Sequence, residues 1–128
     1  MSLLTALRLN MTNIADPTAH QAGRYQAALE MAEFADQRGF TAISGEEHHL
    51  AATSWLPSPL ILAAAIAGRT RSVRISINAL IVPLYDPVRL AEDIAVLDNI
   101  TRGRFSFVAG MGYRPDEYHA AGKDWSRR

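Results

Sequence analysis

Residues 73–109 read VRISINALIVPLYDPVRLAEDIAVLDNITRGRFSFVA. Two apolar, β-branched runs, 73–82 and 104–109, flank a segment with a different rhythm. In that segment Leu90, Ala91, Ile94 and Leu97 recur at helical spacing, with charged residues between them. Asp86 followed by Pro87 supplies an N-cap and a proline at the first helical position. Gly103 supplies the stop expected just past a helix. The stretch is therefore one strand–helix–strand unit, with its strands parallel and its crossover right-handed.

The same rhythm runs upstream. Residues 7–11 (LRLNM) read as a first strand. Asp16–Pro17 opens a helix in which Tyr25, Ala28, Leu29, Ala32 and Ala35 share one face, and Gly39 ends it. Residues 40–44 (FTAIS) form a second strand, and Ser58–Pro59 opens a nearly all-apolar helix that finishes near Gly68. Strands thus start roughly every thirty residues. After the fourth strand comes a polar, Gly-rich tail with a helical turn over 116–121. Two folds fit this β-α-β-α-β-α-β pattern: a small doubly wound sheet of flavodoxin type, and the first half of an α/β barrel. In both, ligands bind at the carboxyl ends of the strands.

Composition narrows the classes. The 128 residues suit one domain, 1–128, and fall short of a complete eight-stranded barrel, which needs ~250. Thirteen Lys and Arg balance thirteen Asp and Glu, which argues against a nucleic-acid binder. With 48% hydrophobic and 20% charged residues the chain is globular in type. It has no cysteine, so thiolate chemistry is excluded and a cytoplasmic location is expected. The longest apolar run, 60–67, is far below the ~20 residues of a membrane span, and no secretory leader is expected.

The strand ends supply the candidate chemistry. Asn10, Thr12 and Asn13 follow the first strand and read as ordinary loop amides and hydroxyls. Gly45-Glu46-Glu47-His48-His49 follows the second and is the strongest chemical signal in the chain. Alternation sends one His and one Glu toward the site and the others away. Adjacent histidines diverge and no second ligand cluster follows, so a metal is not expected. Acid–base work by one histidine fits better, its ordinary pKa of ~6.5 lying near working pH. The alternative is a pair of loop histidines on a solvated edge. Asn78 and Ala79, then Pro83-Leu84-Tyr85-Asp86, lie around the end of the third strand and could floor a flat ring or simply be core. Gly110-Met111-Gly112 follows the fourth; it lacks the third glycine of the dinucleotide fingerprint, but it permits close ligand approach.

These residues resemble a family. The runs EEHHLAATSWLPSPLILAAAIAGRTRSVRI, INALIVPLYDPVRLAEDIAVLDNITRGRFSF and GMGYRPDEYHAAGKD are similar, in order, to successive units of the luciferase-like flavin monooxygenases. The resemblance covers the chain from about Leu7 to Arg128. It implies parallel β/α units forming the N-terminal half, strands one to four, of a TIM-type (β/α)8 barrel.

It further implies a flavin-dependent oxidoreductase or monooxygenase acting on a small organic substrate. The cofactor is reduced FMN, supplied by a flavin reductase, or alternatively a deazaflavin coenzyme. The first histidine of the E-H-H run, His48, aligns with the catalytic position, with Glu47 and His49 beside it as substrate contacts. Asn78 and Ala79 align with a pair that forms a cis peptide beneath the flavin ring, and Gly110 and Met111 align with positions that approach the flavin. Luciferase itself has a cysteine and an arginine where this chain has Gly110 and Met111, so the phosphate contact of that arginine is absent here. Half a barrel leaves its outer strands with open edges. That raises two further expectations: a non-catalytic flavin-binding or partner subunit whose copies assemble to complete a barrel, as a homo-oligomer, or a truncated product.

Overall fold

A computed structural model describes residues 3–14, 18 and 20–128. Four strands, β1 (Ala6–Arg8), β2 (Ala42–Gly45), β3 (Arg74–Ile81) and β4 (Phe105–Gly110), form one sheet in the order β1-β2-β3-β4, every neighbouring pair parallel. Between them run α1 (Gln21–Gln37), α2 (Pro59–Arg69) and α3 (Pro87–Thr101), and α4 (Pro115–Ala120) follows β4. Sequential strand order is that of a barrel wall, and it excludes the doubly wound sheet, whose order reverses at a switch point.

The expected elements all occur, with ends shifted by a few residues. The first strand is shorter than 7–11 and begins earlier, because β1 pairs on one side only; Leu9 still donates to the Ser44 carbonyl at 2.8 Å. The helix start expected at Asp16–Pro17 lies outside the described residues. In the structure α1 begins at Gln21, and His20 is its N-cap, with Nδ1 accepting from the Ala22 N–H at 3.3 Å. Asp86 caps α3 as expected, accepting from the Arg89 N–H at 3.0 Å. Ser58 precedes α2 without making a side-chain cap bond, so its similarity to Asp86 is positional only. Gly39 takes φ +72°, the left-handed conformation that ends α1.

Apolar side chains meet between the helices and one face of the sheet. Ile43 of β2 and Ile75 and Ile77 of β3 are buried with Ala63 and Ile66 of α2 and Ala28, Ala32 and Ala35 of α1. Alanines on α1 let that helix lie close to its neighbours. In α3, Leu90 and Leu97 are buried and Ile94 partly so; Ala91, expected on the same face, is exposed. The opposite sheet face is polar. Arg8, Ser44, Ser76 and Ser106 stand in register across it, and Asn78 and Val108 form the next row toward the strand ends.

At the end of β3 the regular pairing breaks. Asn78 pairs with Val108 but Leu80 pairs with Ala109, so Ala79 is an inserted residue, a β-bulge. The peptide bond between Asn78 and Ala79 is cis, as the family resemblance implies for that pair. The extra residue also changes the phase of the strand: Leu80 and Ile81 are both buried after the alternation of 74–78.

Candidate active site

The carboxyl ends of β2, β3 and β4 bring three loops together. The loop after β2 carries Glu46, Glu47, His48 and His49. These four separate by direction, as alternation predicts. Glu46 accepts from Arg8 Nη2 at 2.5 Å. Glu47 turns inward and is 1% exposed. Its Oε2 accepts from the Ile81 N–H at 2.5 Å, and its Oε1 accepts from the Tyr85 hydroxyl at 2.5 Å and meets His49 Nε2 at 2.9 Å. Burial, and then this bond to Glu47, pushes the Tyr85 phenol far above its ordinary pKa, so it remains a donor throughout the neutral range.

Glu47 and His49, expected as substrate contacts, are here hydrogen-bonded to each other, and Glu47 also to Ile81 and Tyr85. A carboxylate with both oxygens engaged inside the protein holds the loop to the β3 end. His49 is spent on Glu47 through Nε2, though its side chain stays about 30% exposed.

His48 is placed differently. Its ring lies 4.0 Å, centroid to centroid, from the Trp55 ring at a 32° tilt, and 5.6 Å edge-on from the Tyr113 ring. Its backbone N–H donates to the Leu56 carbonyl at 3.1 Å. Its Nδ1 lies 3.4 Å from Glu117 Oε1. Glu117 comes from α4, after the β4 loop, and its side chain is fully buried. The same Oε1 accepts from the His49 N–H at 2.8 Å and from Arg114 Nη1 at 3.2 Å, while Arg114 Nη1 also donates to the His49 carbonyl at 2.6 Å. So the loops after β2 and β4 are joined by one carboxylate and one guanidinium.

Beside this cluster sits a small-residue floor. A Cβ on Gly110 would lie 2.7 Å from the Ala79 Cβ, so only glycine lets the end of β4 approach the bulge this closely. Met111 is about 55% exposed, and its carbonyl accepts from the Tyr118 hydroxyl. Ser76 Oγ donates to Asn78 Oδ1 at 2.8 Å, which leaves the Asn78 amide N–H groups as donors on the polar sheet face. Small residues with a free amide donor beside them fit a flat heteroaromatic ring bearing carbonyl and imine acceptors. Asn10 behaves as an ordinary loop amide, accepting from the Thr12 N–H at 3.1 Å. Among the described residues no three His, Cys, Asp or Glu side chains converge as metal ligands would.

Sequence reasoning singled out His48, Asn78, Ala79, Gly110 and Met111, and the fold gathers all five at one end of the sheet. It missed Trp55, Tyr113, Arg114 and Glu117. The usable signal was Arg114-Pro115-Asp116-Glu117: a proline at the first helical position, with Arg and Glu three apart on one helical face.

A family model for luciferase-like monooxygenases matches residues 9–128, and the chain belongs to that family. Its relatives include 4-hydroxyprotoasukamycin monooxygenase of Streptomyces nodosus subsp. asukaensis, 35% identical over 75% of this chain and 26% of that protein. The oxygenase component of the flavin-dependent trigonelline monooxygenase of Acinetobacter baylyi is 29% identical over 88% of this chain and 31% of its own length. Among solved structures, the oxygenating constituent of 3,6-diketocamphane monooxygenase from Pseudomonas putida, in complex with FMN, superposes with a TM-score of 0.85. It is 25% identical, over 94% of this chain and 33% of that one. The chain thus spans between a quarter and a third of the length of these relatives. The four parallel β/α units are the N-terminal half of a TIM-type barrel, and of these three relatives the trigonelline and diketocamphane proteins are described with a flavin. No helix among the described residues is long and apolar enough to cross a membrane.

Proposed function

We propose that residues 1–128 form a single half-barrel unit that carries the acid–base histidine and the flavin-facing strand ends of a monooxygenase using reduced FMN. The observation that carries this reading is the setting of His48, whose ring lies against Trp55 at a tilt and meets Tyr113 edge-on, with Nδ1 3.4 Å from a buried carboxylate. A histidine held in this way at a strand end is built for proton transfer at its other nitrogen. The FMN in the diketocamphane relative favours that cofactor over a deazaflavin.

A bound reduced flavin supplies the activation of dioxygen for transfer to a small organic substrate. The chain's own residues do the rest. Asn78, whose Oδ1 is taken by Ser76, together with Ala79 and Gly110 would hold the flavin ring at the strand ends. Trp55 packs against the His48 ring, and the low exposure of that side chain strengthens the hydrogen bonds it makes. His48 Nε2 holds or releases the proton that the transfer requires. Glu47, through Ile81, Tyr85 and His49, keeps the loop in register with β3. The trigonelline relative is an oxygenase component, which supports a separate reductase as partner.

Anaerobic titration of the purified protein with reduced FMN and with a deazaflavin coenzyme tests the cofactor assignment. Saturable FMN binding is expected; binding of neither overturns the reading. In an active preparation His48→Gln should lower turnover roughly 10²–10⁴-fold, the usual contribution of a positioned acid–base group. Unchanged turnover would remove His48 from the mechanism.

A further inference from the structure

We propose that Glu117 is the positioning residue that fixes the ring flip and the tautomer of His48. The inference rests on His48 being the acid–base group, and it begins with what the aromatic neighbours leave undecided. Trp55 at 4.0 Å and Tyr113 at 5.6 Å confine the plane of the imidazole. They do not distinguish that ring from the same ring turned over by half a rotation, which exchanges a nitrogen for a carbon at each edge. Only a polar contact tells the two apart. Among the described residues the ring nitrogens of His48 have one such contact, Glu117 Oε1 at 3.4 Å from Nδ1.

An ionised carboxylate accepts and cannot donate. It therefore selects the orientation with Nδ1 toward it and the tautomer with the proton on Nδ1. Nε2 is left unprotonated, and it is the nitrogen with no partner among the described residues. The carboxylate is itself well anchored. It takes the His49 N–H at 2.8 Å and Arg114 Nη1 at 3.2 Å, so its position does not depend on the histidine ring. Its Oε2 is buried with no hydrogen-bond partner among the described residues, so all its polar contacts there run through Oε1. One buried side chain from α4 thus sets the protonation pattern of a histidine on the loop after β2.

Long-range ¹H–¹⁵N spectra of the protein labelled on its histidine rings read the tautomer directly, with His48 assigned by its loss in His48→Gln. In the unsubstituted protein the proton should reside on Nδ1. Glu117→Ala should move it to Nε2, the form that free imidazole side chains favour, and Glu117→Gln, which keeps a neutral acceptor, should fall between. Turnover should follow the same order through kcat rather than KM. Its loss is bounded by the histidine's own roughly 10²–10⁴-fold. In the His48→Gln background, Glu117→Gln should cost nothing further, because residues that act as one unit are not additive.

A proton found mainly on Nε2 in the unsubstituted protein overturns the proposal and requires no variant. So does a tautomer ratio that neither substitution moves, or a Glu117→Gln loss that adds in full to that of His48→Gln. If His48→Gln leaves turnover unchanged while the tautomer shifts as described, the acid–base reading has failed and the positioning has not.

Discussion

Glu47 brings a carboxylate to a site that is 1% exposed and meets three internal partners there. A buried charge is tolerated only when its lone pairs are taken up, and removing one donor leaves part of its desolvation uncompensated. Tyr85→Phe should therefore destabilise the protein by roughly 1–3 kcal/mol, read as a lower urea midpoint at unchanged slope. The sign with pH follows from the raised phenol. Above the ordinary tyrosine value of 10.0 the unfolded chain loses this proton while the folded chain keeps it, so stability falls as pH rises past that point. The phenylalanine variant should lack that part of the alkaline decline. At this scale the sequence was informative about residue type but not about direction. Alternation does not say which Glu and which His of residues 46–49 face the site, and His48 stands out there only through the family resemblance. The packing of Tyr85 and Ile81 on one side, and of Trp55 and Tyr113 on the other, separates the internally bonded Glu47–His49 pair from the histidine proposed to act.

The helices and strands are set by local chemistry, and two of the helix starts allow a controlled comparison. Asp86 and Ser58 both precede a proline, yet only Asp86 accepts a backbone N–H. Asp86→Ala should cost about 1 kcal/mol of stability, the usual loss for a working N-cap, and Ser58→Ala should stay within about 0.5 kcal/mol; thermal unfolding of both variants checks the difference. The link from α2 to β3 has a stronger clamp. Asp36, at the end of α1, accepts from the N–H groups of Arg71, Ser72 and Val73 at 2.8, 2.8 and 2.7 Å. Burial works against its ionisation, but these three donors and the nearby Arg104 outweigh it and hold its carboxyl below the usual 3.8. The stability this contributes is present above the unfolded value and is lost as pH falls through the lower, folded one. Asp36→Ala should cost roughly 1–2 kcal/mol near neutrality and flatten the acid limb of a stability–pH curve. Nothing local announces this clamp: Asp36 lies 35 residues from Arg71 and reads as an ordinary charge on a helix end.

For the molecule as a whole, the sheet is covered by helices on one face and polar on the other, and β1 and β4 each pair on one side only. Val108 is 56% and Phe107 37% exposed, on opposite faces of β4. Such a strand is a template for further pairing. If copies of this chain complete a barrel, light scattering should give about twice the mass of the chain, and substituting Val108 by Lys should return it to one chain. A single-chain mass for the unsubstituted protein would exclude self-completion.

By itself, the sequence determined the number and order of strands and helices, their parallel sense, and the end of the sheet where a site must lie. Those follow from periodicity, caps and glycine stops, which act over a few residues and are written in adjacent letters. The choice of a barrel wall over a doubly wound sheet needed the strand order, which no local period encodes. The tertiary structure alone decided that Glu117 meets His48 across 69 positions of sequence and that Glu47 faces inward. Contacts of that separation depend on the closure of whole β/α units upon one another, so they exist only once the fold has formed.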